Sequence, residues 1–313
     1  MSELCLVTGG AGFVGSHLVE ELLRAGRPVR VFDDFSTGLR SNFDGWDRAP
    51  EIVTGSLADR EAVDRAVAGA GVVFHLGAMA SVAKSLESPL DCHAVCATGT
   101  LHVLEAARKH RIRRVVYAAS SSAYGGADDP AGQDEATPLQ TLSPYAAAKL
   151  AGEHYLEAFA TSYGLETVRL RFFNIFGPRQ RADSPYSGVI AIFAAAMLAG
   201  RTPTIHGDGG QSRDFTYVAN AVRSLVLAAE TPGIAGRVYN VGTGASISLL
   251  ELVAALNEIL GTNVVPNHGP ARAGDVRFSR ARIDRVRAEL GYEPIVDFRE
   301  GLRRTIAWYR SQT

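Results

Sequence analysis

Thiols and lysines are scarce in this 313-residue chain. Three cysteines (Cys5, Cys92, Cys96) occur, and only three lysines (Lys84, Lys109, Lys149) stand among 32 basic residues. Three scattered thiols exclude a disulfide framework. Cys92 and Cys96, four apart in a helical stretch, read as small buried apolar residues. No His/Cys group has metal-ligand spacing, so no metal is expected. No apolar run reaches the roughly 18 residues of a membrane span. The first residues already look like a strand and lack a basic leader with a cleavage site, so a cytoplasmic protein is expected. Blocks of like charge are missing too, and the formal net charge is −1. That argues against a nucleic-acid binder. Where lysine is so rare, a lysine placed beside a tyrosine stands out.

Residues 4–15 form an apolar run ending in Gly9, Gly12 and Gly15, and a helical pattern follows at once. Gly9 allows a tight turn, Gly12 lets a pyrophosphate approach the backbone, and Gly15 lets the helix pack close on the strand. Taken alone, such a triplet marks only a turn in some α/β fold. Here a second strand, 29–32, ends in Asp33, 18 residues past Gly15. An acid at that distance accepts from a ribose diol. It would repel a 2′-phosphate, so NAD is expected rather than NADP.

Tyr145 and Lys149 lie four apart at the start of a helical run, hence on one helix face. A cation beside a phenol favours phenolate and is expected to lower the tyrosine pKa toward that of a usable base. By itself this pair is equally a solvated helix turn. Ser120-Ser121-Ser122 changes the balance. It follows the fifth strand, where ligands bind in open α/β sheets. Ser120 there can bond both a substrate hydroxyl and the Tyr145 phenol, and Ser122 supports it. A Ser-Tyr-Lys set beside NAD moves a hydride to or from a carbinol carbon.

Strand and helix patterns alternate through the first half, with strands near 51–54, 72–76, 115–119 and 166–172 and long helices over about 90–109 and 144–163. Such alternation predicts a doubly wound parallel α/β sheet with helices on both faces. An acidic stretch rich in Gly, Pro and Asp, 125–142, reads as a loop or lid. Past Asn174 the pattern loosens into short helices, with one return strand near 238–241. The expected division is a dinucleotide-binding domain, 1–173, with a return segment of about 213–245. A smaller, interrupted C-terminal α/β substrate lobe would comprise 174–212 and 246–313.

These residues together resemble the extended short-chain dehydrogenase/reductase family and, within it, the UDP-hexose 4-epimerases. The resemblance runs nearly end to end. It rests on the segments 8–15, 33–36, 75–78, 120–125, Tyr145/Lys149, 171–174, 206–209, 213–215 and 272–275. It implies an NAD-binding sheet, a UDP-sugar substrate and a homodimer joined by the two long helices. It places Phe13 and Val14 on the pyrophosphate and Asp33, Asp34, Phe35, Ser36, Thr37 and Gly38 on the adenosine ribose. Leu76, Gly77, Ala78 and Ala80 would line the cofactor site, and Phe173 would flank the nicotinamide, with Lys149 on its ribose. Asn174, Gly188 and Val189 would meet the sugar diphosphate, with Arg213 and Arg272 clamping it. Guanidinium suits that task, since it forms forked bonds to phosphate. Asp275 would take the uridine ribose, and Thr204, Ile205 and His206 would frame the uracil.

Two positions depart from the family pattern, both at expected cofactor contacts. Ser56, followed by Leu57, stands where Asp is usual, and Cys96 where Asn is usual. Dehydratases of the family carry Asp-Glu where this chain has Ser121 and Ser122, so water elimination is not expected. The expected reaction is 4-epimerisation of UDP-hexoses. Ser279 occupies a position that walls the sugar pocket in related epimerases. A small residue there implies that UDP-GlcNAc and UDP-GalNAc are accepted as well as UDP-Glc and UDP-Gal. The rival enzymatic reading is UDP-glucuronate 4-epimerisation, with Arg179 or Arg181 facing the carboxylate. A decarboxylase is a weaker rival, and a silent NAD-binding regulator is the alternative of another class.

Overall fold

The computed structural model describes residues 3–125, 129–182, 187–271 and 276–312. Strands β1 (Cys5–Thr8), β2 (Val29–Asp33), β3 (Glu51–Thr54), β4 (Val72–His75), β5 (Arg114–Ser120) and β6 (Glu166–Phe172) alternate with helices. These are α1 (Phe13–Arg24), α2 (Arg60–Val67), α3 (Val82–Glu87), α4 (Pro89–His93), α5 (Gly99–Lys109) and α6 (Pro144–Tyr163). The remaining chain carries short strands β7 (Ile175–Phe176), β8 (Thr204–His206), β9 (Ser212–Arg213), β10 (Thr216–Tyr217), β11 (Arg237–Val241), β12 (Ile247–Ser248), β13 (Asn267–Gly269) and β14 (Phe278–Ser279). Its helices are α7 (Val189–Leu198), α8 (Val218–Glu230), α9 (Leu249–Leu260), α10 (Asp284–Leu290) and α11 (Phe298–Ser311).

Seven strands pair in parallel in the order β11-β6-β5-β4-β1-β2-β3. Alternation along each strand feeds two cores, one per face. From β1, Cys5 and Val7 join Leu18 and Leu22 of α1 and Leu225 of α8, whereas Leu6 joins Val63 of α2, Val103 of α5 and Leu156 of α6. The order reverses between β1 and β4, and a crevice opens there at the carboxyl ends of the strands. The expected return strand is β11, which joins β6. Three small sheets lie outside the main one: β10-β7, β12-β9-β14 and β13-β8. Their strands are two or three residues long, too short for periodicity to announce.

Two local features prepare the site. Helix α6 starts where Ser143 accepts from the Ala146 N–H and Pro144 occupies its first turn; it stops at Gly164, φ 68°. The helix expected over 90–109 is continuous but not uniform. Between α4 and α5, Ala94–Thr98 winds as a π turn with helical dihedrals on both sides. Such turns are rare and often mark functional sites, and Cys96 lies within this one. In the stretch expected to be a lid, residues 129–142 are mostly turns. Gln133 bridges to Ala281, which ties the stretch to the C-terminal part. Residues 126–128 lie outside the described ones.

Candidate active site

A cleft of about 490 Å³ opens over the carboxyl ends of β1, β4, β5 and β6. The glycine turn after β1 delivers Phe13 and Val14 to its wall. Gly9 has φ +67°, and a Cβ on Gly15 would lie 2.1 Å from the Gly9 carbonyl oxygen. A Cβ on Gly12 would meet only that oxygen, at 3.2 Å, so its other side is open. Helix α1 begins at Gly12 with no side-chain cap and no acid in its first turn, while Phe13 and Val14 line the cleft. Its first N–H groups are therefore free for an anion. This cradle fits a dinucleotide pyrophosphate.

Asp33 does more local work than the ribose assignment foresees. Its carboxylate accepts from the Ala11 N–H at 2.9 Å and the Phe35 N–H at 2.8 Å, holding the glycine turn against the loop after β2. Burial pushes its pKa up. In that loop Asp34 accepts from Ser36 N–H, Thr37 is exposed, and Gly38 packs on Ala11. Ser56 caps its own turn through Ala58 N–H, and Leu57 packs between Gly77 and Gly99. Leu76, Ala78 and Ala80 line the cleft. Cys96 does not. Its buried sulfur accepts from Met79 N–H at 3.3 Å, so it braces the loop after β4 from behind.

At the reactive end, Tyr145 and Ser120 line the cleft together, and Ser122 Oγ donates to Ser120 Oγ at 2.9 Å. Lys149 is 2 % exposed and rests its ammonium 4.1 Å from the centre of the Tyr117 ring. Burial lowers its pKa to about 8. The expected lowering at Tyr145 is not what the protein alone provides. Burial pushes this phenol up, the neighbouring Cys96 adds to the rise, and Ser120 opposes it. His75, next to this group, is held by Thr8 and Thr100, and burial lowers it to about 3. It is a neutral brace, not a proton exchanger.

At the far end, Asn174 (φ +29°) donates to Ser279 Oγ at 3.3 Å, and both line the cleft with Arg213. Gly188 and Val189 open α7 beside Gln180, another lining residue. Thr204, Ile205 and His206 sit on β8, paired with β13, and are not among the described lining residues; Ile205 is fully buried. Arg272 and Asp275 lie outside the described residues. Phe173, just past β6, is fully buried against Tyr124, and the half-buried Phe172 lines the cleft beside it.

Residues 5–242 match the model of the NAD dependent epimerase/dehydratase family. The chain belongs to this family. A UDP-glucose 4-epimerase of Mycolicibacterium smegmatis is 37% identical over 311 residues, which cover 98% of this chain and 99% of that protein. Among solved structures, a UDP-glucose 4-epimerase of Thermotoga maritima with UDP-glucose is similar with a TM-score of 0.94 at 37% identity, covering 99% of each chain. A UDP-N-acetylglucosamine 4-epimerase of Methanobrevibacter ruminantium, in complex with UDP-N-acetylmuramic acid, gives 0.94 at 35% identity, covering 100% of this chain and 99% of that one. Among the described residues, no helix is long and apolar enough to cross a membrane.

Family membership makes the residues that sequence reasoning missed worth stating. Tyr124 and Gln133 both line the cleft. Glu153, buried on α6, chelates Arg171. It lies four residues past Lys149, so Tyr145, Lys149 and Glu153 form one helical stripe. That spacing was a usable signal. Nothing in the local sequence of Gln133 marks it.

Proposed function

We propose that this protein is a UDP-hexose 4-epimerase that uses NAD and accepts N-acetylated as well as plain hexoses. One observation carries the reading: Tyr145, Ser120 and Lys149 face a cleft with no carboxylate among its described lining residues. Water elimination needs a further acid or base there, while epimerisation needs only one proton site and a hydride site. Bound NAD supplies the hydride acceptor for C4 of the hexose and a positive ring that opposes the burial of Tyr145. The chain's own groups do the rest. Tyr145 takes the C4 hydroxyl proton and gives it back. Ser120 holds the same oxygen, with Ser122 orienting Ser120. Gly12, Phe13 and Val14 seat the pyrophosphate, the loop of Asp33 the adenosine ribose. Arg213, Asn174 and, by family resemblance, Arg272 hold the sugar diphosphate.

The division into a dinucleotide domain and an interrupted substrate lobe belongs to the same proposal. Of the two cations named for the uronate reading, Arg179 pairs with Glu20 at 2.6 Å and stacks over Trp46, and neither Arg179 nor Arg181 is among the described lining residues. Among the described lining residues the cations are Lys149 and Arg213.

Proton NMR of the anomeric region tests the reading. Incubation with NAD is expected to convert both UDP-Gal and UDP-GalNAc. Ser279→Tyr is expected to cost the acetylated pair at least about tenfold more than the plain pair, the size of effect a pocket wall produces. Conversion of UDP-glucuronate alone would overturn it.

We also propose a homodimer through the two long helical stretches, α4–α5 and α6. Leu90 of α4 is 83 % exposed, Leu86 of the adjoining α3 is 63 % exposed, and Tyr155 of α6 is exposed as well. Leu90→Glu is expected to shift sedimentation from a dimer toward a monomer; a wild-type monomer at micromolar concentration would refute the interface.

A further inference from the structure

Two side-chain amides in the cleft wall carry a buried atom without a partner, Gln180 at its oxygen and Gln133 at its nitrogen, and only Gln133 offers a donor. It is 3 % exposed and lines the cleft, yet its Nε2 has no hydrogen-bond partner. Buried side-chain amides in folded proteins are nearly always paired. The amide cannot simply be turned round. Its Oε1 accepts from the Arg280 backbone N–H at 3.3 Å, which requires an oxygen at that place. The NH2 group is therefore the free end.

The residue is also held firmly. Its N–H donates to the Arg280 carbonyl at 2.8 Å, and its carbonyl accepts from Arg282 N–H at 2.8 Å and Asn240 Nδ2 at 2.9 Å. A Cβ on the preceding Gly132 would lie 2.8 Å from the Arg280 oxygen, so the two segments touch. These bonds set Gln133 beside Ser279, whose hydroxyl already accepts from Asn174. A fixed donor, next to a small wall residue, is built to meet an acceptor that the protein does not provide.

We propose that Gln133 is a specificity-determining residue, its side-chain amide donating to the carbonyl oxygen of an N-acyl substituent on the hexose. This rests on the reading of the cleft as a UDP-hexose site. An amide NH2 only donates and an acyl carbonyl only accepts, so the two are complementary. A neutral donor also matches a neutral oxygen better than a carboxylate, which calls for a cation. A plain hexose leaves space for a water at the same point, so it gains little from Gln133.

The test is a cycle between protein and ligand, read in Kd by calorimetry and in kcat/KM. Gln133→Met removes the donor at nearly constant volume. Gln133→Glu keeps an acceptor for the Arg280 N–H. Both variants are expected to weaken UDP-GlcNAc about tenfold and UDP-Glc less than about twofold, the loss of one hydrogen bond in one ligand only. Equal losses for the two ligands would make Gln133 a clamp on Arg280 and overturn the proposal, as would no loss in either. If the wild type bound both ligands without interconverting epimers, the epimerase reading would fail, while the ratio of affinities would still decide the role of Gln133.

Discussion

Tyr145→Phe is expected to lower kcat by roughly 10²–10⁴ while leaving UDP-sugar affinity within about twofold, as befits loss of a general base. The substitution keeps the ring packed and removes only the phenol oxygen that lines the cleft with Ser120. Single-turnover reduction of bound NAD by UDP-Gal, followed by absorbance, measures the step directly. Wild-type rates in the variant would reassign the proton to another group, Ser120 being the neighbour.

Lys149 adds a pH signature to this prediction. Its pKa is about 8 in the fold against the usual lysine range near 10.5. The ammonium is present below about pH 8 and lost as the pH rises through that value. Catalysis that needs the cation therefore falls above about pH 8. Stability moves the other way. Between about 8 and 10.5 the unfolded chain holds a proton that the folded chain has shed, so stability rises with pH across this window. Below pH 8 both states are protonated, and the full cost of a buried charge is present. Lys149→Met is thus expected to raise Tm at pH 7 while abolishing most activity, and to flatten the rise between pH 8 and 10. Thermal unfolding at both pH values, with a Tm for Lys149→Met no higher than wild type at pH 7, would show that Tyr117 and the helix compensate the charge in full.

The parts of this molecule that obey a period were legible in the sequence. Strands β1 and β4 are apolar runs, β2, β5, β6 and β11 are rich in β-branched and aromatic residues, and α6 announces itself by Ser143-Pro144 and Gly164. The glycine turn and the Ser-Tyr-Lys group were legible because their chemistry dictates residue type and spacing. What stayed hidden depends on tertiary contact. That Phe172 lines the cleft while Phe173 is buried hinges on packing against Tyr124. The pKa of Tyr145 hinges on how deeply it is buried and on its neighbours Cys96 and Ser120. Gln133 matters because of Arg280, 147 residues away. The π turn at Cys96 spans only Ala94–Thr98, too short a stretch for its change of period to be read from the sequence.

Glu153 and Arg171 make the other large prediction. Both are almost fully buried, and three bonds of 2.7–3.0 Å join them. Burial disfavours the guanidinium charge, yet the Glu153 bonds outweigh it and the Arg171 pKa goes up. Arg171 also donates to Tyr124 Oη at 2.8 Å, and Tyr124 donates to Asn240 Oδ1 at 2.6 Å. The pair thus ties α6 to β6, to the turn after Ser120 and to β11, all under the cleft. Glu153→Gln leaves the arginine charge buried and half-paired, and is expected to cost about 3–5 kcal/mol in urea unfolding. Replacing both residues with apolar ones of similar volume, Glu153→Leu with Arg171→Met, is expected to recover most of that loss, since it removes the desolvation cost along with the attraction. Tyr124 keeps Asn240 as its acceptor in the double variant. The informative readout is then the one that stability cannot supply. If the pair serves the site, the double variant folds as well as wild type yet shows a lower kcat, because Tyr124 and the Ser120–Ser122 turn have lost their fixed neighbour. Full activity in a stable double variant would confine Glu153 and Arg171 to holding the fold.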